Sequence, residues 1–275
     1  MNFHYLDGLW VTTKNLKISV FDLSVVRGFG CFDFLRTYGN KPFLLNAHLD
    51  RFFRSAKILG LKIPLTRDKI KKIIYTGIGK NNFIETNIKV ILTGGVSSDA
   101  ITPGKSSFIV IFTKAADCPR SHYEEGVRLI TIPASRVLTE AKSLDYLMAV
   151  VAMQGAKDNG ADEALYLDKS GKIYEATRSN FFAVIGGKLN TVKDGVLLGV
   201  TRKVVLDLAK KLNIEVIERD IFLHELKNFR EAFITASNKE IMPVIKIDEK
   251  MVGNGKVGQV TKRLMEEFRN LTHSA

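Results

Sequence analysis

The stretch Asp162-Glu-Ala-Leu-Tyr-Leu-Asp-Lys-Ser-Gly-Lys-Ile-Tyr-Glu175, continuing as Ala176-Thr-Arg-Ser-Asn180-Phe-Phe182, decides how the chain is read. Apolar residues alternate on both sides of Lys169-Ser-Gly171, so the run predicts two strands joined by a tight turn, with Glu175 near the end of the second. Lys142 lies about thirty residues upstream, in Glu140-Ala-Lys-Ser-Leu-Asp-Tyr-Leu-Met148, and about sixty residues downstream is a second polar turn, Thr235-Ala-Ser-Asn238. An amine, a carboxylate and turn donors in that order are the parts needed to hold a phosphorylated, aldehyde-bearing ring. The amine would bond the aldehyde, the carboxylate would face the ring nitrogen, and the donors would take the phosphate.

Working outward, composition excludes several alternatives. The 275 residues are 45% hydrophobic and 25% charged, which suits a globular chain with one large or two modest cores. No apolar run approaches the roughly 20 residues needed to cross a bilayer. The two cysteines, Cys31 and Cys118, lack metal-ligand spacing, and the N-terminus has no basic-then-apolar leader, so a reduced, cytoplasmic protein is expected. The net charge of +12 raises the question of a polyanion partner. Its lysines and arginines are instead dispersed over periodic segments such as Arg67–Ile74 and Arg202–Lys211, which reads as solvated helix faces with no nucleic acid expected.

Before the central run, Cys31–Tyr38, the turn Gly39-Asn-Lys41 and Pro42–Leu45 predict a hairpin. Asn46 is placed to cap a helix in which Leu49, Phe52, Phe53, Ala56 and Leu59 form an inward stripe, leaving Arg51 beside it. A basic helix at residues 69–78, strands at 87–92 and 108–112, and a glycine-rich loop at 93–104 follow. Periodicity fades from Thr113 to Gly126. The expected organisation is a smaller N-terminal α/β domain over residues 1–115, a linker over 116–126 and a larger cofactor-binding domain over 127–275. Within the last, a helix is expected from about Leu144, another from Thr201, a strand at 231–235 and a terminal helix from Val257.

The order of Lys142, the Asp162–Glu175 run, Asn180-Phe-Phe182 and Leu197-Leu-Gly-Val-Thr-Arg202 resembles the class IV aminotransferases. That resemblance implies a two-domain, mixed α/β, fold type IV enzyme, D-amino acid aminotransferase-like in architecture, using pyridoxal 5'-phosphate. It makes Lys142 the Schiff-base lysine and catalytic group and Glu175 the partner of the pyridine nitrogen. It adds Asn180, and gives the phosphate to Val200 and Thr201 at a helix start, to Ser237 and Asn238, and to Arg51 as a charge-assisted clamp. Without the resemblance, Lys142 and Arg51 read as exposed helix residues. Tyr146 is placed near the cofactor's phenolic oxygen, with packing on the core as its other reading; Asp145 stands where relatives commonly carry asparagine.

The resemblance further implies amino acid and 2-oxo acid substrates, 2-oxoglutarate among them, and a homodimer. Three subgroups share the cofactor residues. Phe32-Asp-Phe-Leu-Arg-Thr-Tyr38 is similar to the branched-chain group's pattern, with Asp33 for glutamate, Phe34 for glycine and Arg36 retained. Phe32, Phe34, Arg36, Thr93 and Gly94 are therefore the candidate substrate residues. The segment 94–102 lacks the arginine and histidine of D-amino acid aminotransferases and the arginine-glycine loop of aminodeoxychorismate lyases. The best reading is an L-branched-chain aminotransferase, with those two activities as alternatives and a catalytically silent polyanion-binding protein as the alternative outside enzymes.

Overall fold

The computed structural model describes residues 2–273 and divides into two compact units. One holds residues 2–116 together with Ala141–Tyr146; the other holds Asp117–Glu140 and residues 147–273. The division departs from the contiguous boundary expected from sequence, because the Lys142 segment packs with the first unit.

The first unit runs β1 (Phe3–Leu6), β2 (Leu9–Thr12), α1 (Leu23–Val26), β3 (Gly30–Tyr38), β4 (Lys41–Pro42), α2 (Leu45–Ile58), α3 (Arg67–Asn81), β5 (Thr86–Thr93) and β6 (Phe108–Lys114). Among the described residues its sheet has six strands in the order β2-β1-β6-β5-β3-β4, all antiparallel. Leu35, Ile88, Val90 and Phe112 meet Phe52, Ile70 and Ile74 from α2 and α3 in one core. A Cβ on Gly77 of α3 would run into the Phe112 ring, so only glycine allows that approach. The hairpin's return strand is two residues long, and α2 begins at Leu45 with Leu44 in the left-handed region as its cap. Asn46 thus sits inside the first turn, correcting its expected capping role.

The second unit runs α4 (Arg120–Glu124), β7 (Val127–Pro133), α5 (Leu147–Asp158), β8 (Glu163–Leu167), β9 (Lys172–Ala176), β10 (Asn180–Ile185), β11 (Lys188–Thr191), α6 (Val200–Lys211), β12 (Val216–Glu218), β13 (Ile221–Phe222), β14 (Phe229–Ala236), β15 (Glu240–Ile247), β16 (Lys250–Met251) and α7 (Gln259–His273). Among the described residues these strands make a ten-stranded mixed sheet, with β7 parallel to both β15 and β8. Phe182 and Phe233 stack at 4.9 Å between neighbouring strands, while Phe181, Phe229 and Ile234 pack into its core. Helix α5 starts at Leu147 rather than near Leu144, because residues 142–144 are held extended along β3.

Candidate active site

In the first unit the central feature is the start of β3, on the side that β4 pairs only at Thr37 and Tyr38. The Phe32 N–H donates to the Lys142 carbonyl and the Leu144 N–H to the Gly30 carbonyl, both at 2.9 Å, so residues 142–144 extend the sheet. The Lys142 N–H donates to Ser55 Oγ of α2 at 3.0 Å, fixing the segment a second time. Directly paired residues of antiparallel strands share a face. Lys142 Nζ accordingly lies 4.6 Å from the centre of the Phe32 ring. Tyr146 meets the same ring edge-on, 5.4 Å between centroids.

Phe34 and Arg36 follow Phe32 on this face by strand alternation. Lys89, opposite Phe34 on β5, brings a second amine to the Phe32 ring at 4.8 Å, and burial pushes that amine below the usual lysine range. Sequence reading missed Lys89; its signal was the alternation of Asn87, Lys89 and Ile91. Arg36 lies over the Tyr38 ring at 4.7 Å.

On the opposite face of β3 lies a buried ionic cluster. Arg51 Nε and Nη2 donate to the two oxygens of Asp33, each at 2.8 Å, and His48 Nδ1 is 2.7 Å from Asp33 Oδ1. Arg51 is only 5% exposed, which corrects the placement beside the buried stripe. Burial would raise the Asp33 carboxyl, but Arg51 and His48 outweigh it and hold it well below the usual carboxylate range. Burial likewise pushes the His48 imidazole down, more than Asp33 raises it.

Thr93 and Gly94, expected to contact substrate, are fixed by contacts of their own. The Thr93 hydroxyl donates to Asp22 Oδ2 at 2.7 Å and accepts from the N–H groups of Gly95 and Ser107. A Cβ on Gly94 would meet Phe29 and Leu23 at 2.7 and 2.8 Å.

In the second unit the motif residues build a frame around Glu175. Asp168 accepts from Ser170, Lys172 and Tyr174, closing the turn between β8 and β9. Glu175 Oε1 accepts from Arg136 Nη1 at 3.0 Å; Oε2 accepts from Asn180 Nδ2 at 3.3 Å and from the Leu197 N–H at 3.2 Å. Asn180 also donates to the Leu197 carbonyl at 2.7 Å. Arg136 was not singled out from sequence, although it stands six residues before Lys142. Glu163, quoted within the motif without a role, is buried and joins Thr177, Arg178, Ser179 and Lys239.

Helix α6 begins at Val200 with Gly199 as its N-cap and no side-chain cap, so its first N–H groups lack helical acceptors. A Cβ on Gly199 would collide with Asn180 Oδ1, which ties this helix start to the Glu175 frame. Ser237 and Asn238 form the turn between β14 and β15. Thr235, just before it, has a buried Oγ1 with no hydrogen-bond partner among the described residues.

The class IV amino-transferase family model matches residues 30–247. The chain belongs to the class IV aminotransferases. It is 39% identical over 274 residues to a protein named putative branched-chain-amino-acid aminotransferase from Methanocaldococcus jannaschii, covering 97% of this chain and 95% of that one. It is 31% identical over 276 residues to a D-alanine aminotransferase of Staphylococcus aureus, covering 98% of each. The solved branched-chain amino acid aminotransferase of Escherichia coli is similar at a TM-score of 0.94 and 27% identity, over 99% of this chain and 95% of that one. The T.th. branched-chain amino acid aminotransferase, solved with pyridoxamine 5'-phosphate, gives 0.92 and 27%, over 99% and 94%.

This class IV aminotransferase is thus a fold type IV transaminase that uses pyridoxal 5'-phosphate. Its residues fit the group. Glu175 is a buried carboxylate oriented by three donors, α6 presents uncapped N–H groups suited to a phosphate, and the unpartnered Thr235 hydroxyl adjoins the Ser237 turn. No helix among the described residues is long and apolar enough to cross a membrane.

Proposed function

We propose that this aminotransferase moves an amino group between an L-branched-chain amino acid and a 2-oxo acid such as 2-oxoglutarate. The observation that carries the reading is the aromatic face around the Lys142 amine. Phe32 and Phe34 side by side on β3, with Tyr146 against Phe32, suit an aliphatic side chain better than a polar one. Lys89 supplies a cation there for a substrate carboxylate. The segment 94–102 has Asp99 as its one charged residue, and that carboxylate is taken up by Ser97, Ile101 and Thr102, which disfavours a carboxylate clamp in the loop.

Pyridoxal 5'-phosphate supplies an aldehyde for the amine to bond and a ring that accepts the electron pair left at the substrate's α carbon. Lys142 Nζ would be the amine that bonds that aldehyde and, when free, the base that carries the substrate's α proton. Glu175 would keep a proton on the ring nitrogen, with Arg136, Asn180 and Leu197 fixing the carboxylate's direction. Val200, Thr201, Ser237 and Asn238 would donate to the phosphate; Arg51, whose Nε and Nη2 are bound to Asp33, is left out of that set. Tyr146 would donate to the ring's phenolic oxygen.

The test is the visible spectrum of the purified enzyme before and after L-leucine or D-alanine. Bleaching by L-leucine is expected; bleaching by D-alanine alone overturns the substrate assignment. Two further readings belong here. A homodimer is supported by the outward apolar residues of α5, Leu147, Met148, Val150 and Val151, and light scattering at one chain's mass would refute it. A cytoplasmic setting accords with two free cysteines, and a secreted pool of active enzyme would refute that.

A further inference from the structure

The turn between β14 and β15 is held far more firmly than a surface hairpin requires. Ala236 and Glu240 close it as a pair, with Ser237, Asn238 and Lys239 at its tip and Glu240 at φ 56°, in the left-handed region that non-glycine residues seldom occupy. Three of its carbonyls are engaged within the second unit. The Lys239 N–H donates to the Ala236 carbonyl at 3.1 Å, Cys118 Sγ to the Asn238 carbonyl at 3.5 Å, and the Tyr123 hydroxyl to the Lys239 carbonyl at 3.2 Å. With those acceptors taken, the turn has donors to offer, which is what an anion needs.

The fourth restraint is ionic. Lys239 is buried, and its Nζ donates to Glu163 Oε2. Glu163 is completely buried on β8, where its oxygens also accept from Thr177 Oγ1 at 2.8 Å, the Arg178 N–H at 2.7 Å and Ser179 Oγ at 3.1 Å. One carboxylate therefore binds two turns. The first is the Thr177–Ser179 turn, which leads from Glu175 to Asn180; the second is the Ser237–Lys239 turn. A lysine that only stabilised a hairpin tip would remain in water, since burying both charges costs desolvation that the pair must offset through geometry.

We propose that Lys239, anchored by Glu163, is a positioning residue for the phosphate-binding turn. The pair fixes the Ser237 and Asn238 donors relative to the Glu175 and Asn180 turn, so that phosphate and ring nitrogen are met at the correct spacing. The proposal rests on the assignment of Ser237 and Asn238 to the cofactor phosphate made above.

The test is a titration of the cofactor-stripped enzyme with pyridoxal 5'-phosphate and, separately, with pyridoxal, followed by absorbance. Wild type, Lys239→Met, Lys239→Arg, Ser237→Ala and the double variant Glu163→Gln with Lys239→Met are compared, with thermal melts of each stripped protein alongside. A positioning role predicts that Lys239→Met weakens pyridoxal 5'-phosphate binding by about tenfold or more, in the range seen when the support of a ligand-binding group is removed. Binding of pyridoxal, which lacks the phosphate, should change far less. The double variant should regain melting temperature, because no unpaired buried charge remains, without regaining the preference for the phosphorylated form; Lys239→Arg should retain part of it.

Equal weakening of both ligands in Lys239→Met, or full recovery of phosphate preference in the double variant, would mean that the pair only stabilises the fold. If Ser237→Ala weakens phosphate binding and Lys239→Met does not, the positioning role falls while the phosphate assignment stands. If neither does, the assignment falls and the proposal with it.

Discussion

Replacing Asp33 by Asn leaves the Arg51 guanidinium buried without its counter-charge. In the native structure Asp33 is 1% exposed and receives two N–H groups of Arg51, the His48 contact and the Phe34 N–H at 2.8 Å. An asparagine carries one acceptor oxygen, so it cannot receive the guanidinium fork bidentately, and its amide group would face a donor. Removing one partner of a buried pair costs about 3–5 kcal/mol. At roughly 2–4 °C per kcal/mol for a protein of this size, the melting midpoint should fall by about 6–20 °C. The assay is calorimetry of the stripped enzyme at neutral pH, with Asp33→Leu plus Arg51→Met as the companion variant. That double variant should recover much of the loss, since apolar replacement of a whole buried pair is often neutral. A midpoint for Asp33→Asn within about 2 °C of wild type, or a double variant as costly as both single changes together, would refute the reasoning. The pH dependence has a definite sign. Both groups have folded-state values below their ordinary 3.8 and 6.5, so their stabilisation is complete above pH 6.5. It is lost as pH falls, first through His48 and then, below 3.8, through Asp33, because the unfolded chain binds those protons more readily.

Three further outcomes bear on the chemistry. Lys142→Ala should abolish the visible band and reduce turnover by at least about 10³-fold, as expected when a positioned proton carrier is lost; near-normal turnover would move the catalytic amine elsewhere. Glu175→Gln should keep bound cofactor while lowering kcat on the order of 10²-fold, and an unchanged kcat in steady-state assays would remove its role at the ring nitrogen. Lys89→Met should raise KM for 2-oxoglutarate by about tenfold or more, the loss of one charge-assisted hydrogen bond. A larger effect on kcat than on KM would count against carboxylate binding by that amine.

Local patterns carried the strands and helices into view, and they failed where a partner lay far along the chain. The alternation of Cys31–Tyr38 and the spacing of Leu49, Phe52 and Ala56 are satisfied in β3 and α2, because each reports burial of its own face. Arg51 escaped the same logic. Its position places it on the shoulder of the stripe, yet its partner Asp33 lies eighteen residues earlier on a packed strand, and no helical period reports that carboxylate. The late start of α5 has the same origin, since residues 142–144 satisfy their backbone on the edge of β3 more than one hundred residues upstream.

The motif at 162–175 shows how much of a frame a single carboxylate takes. Of its charged members only Glu175 is proposed to face the cofactor. Asp162 accepts the Arg128 N–H at 2.8 Å at the start of β7, Asp168 closes the turn that Gly171 completes at φ 78°, and Glu163 clamps two turns. Glu163 is buried, Asp168 closes a turn and Asp162 ties the motif to β7, so the motif is dense with carboxylates because orienting one carboxylate takes a frame of others. The charges that balance them, Arg136 and Lys239, lie 39 residues before Glu175 and 76 residues after Glu163. Balance of buried charge must close in three dimensions. A buried carboxylate recognised in a strand is therefore a reason to look for an unassigned cation elsewhere in the chain, and in the second unit that search leads to Arg136 for Glu175 and to Lys239 for Glu163.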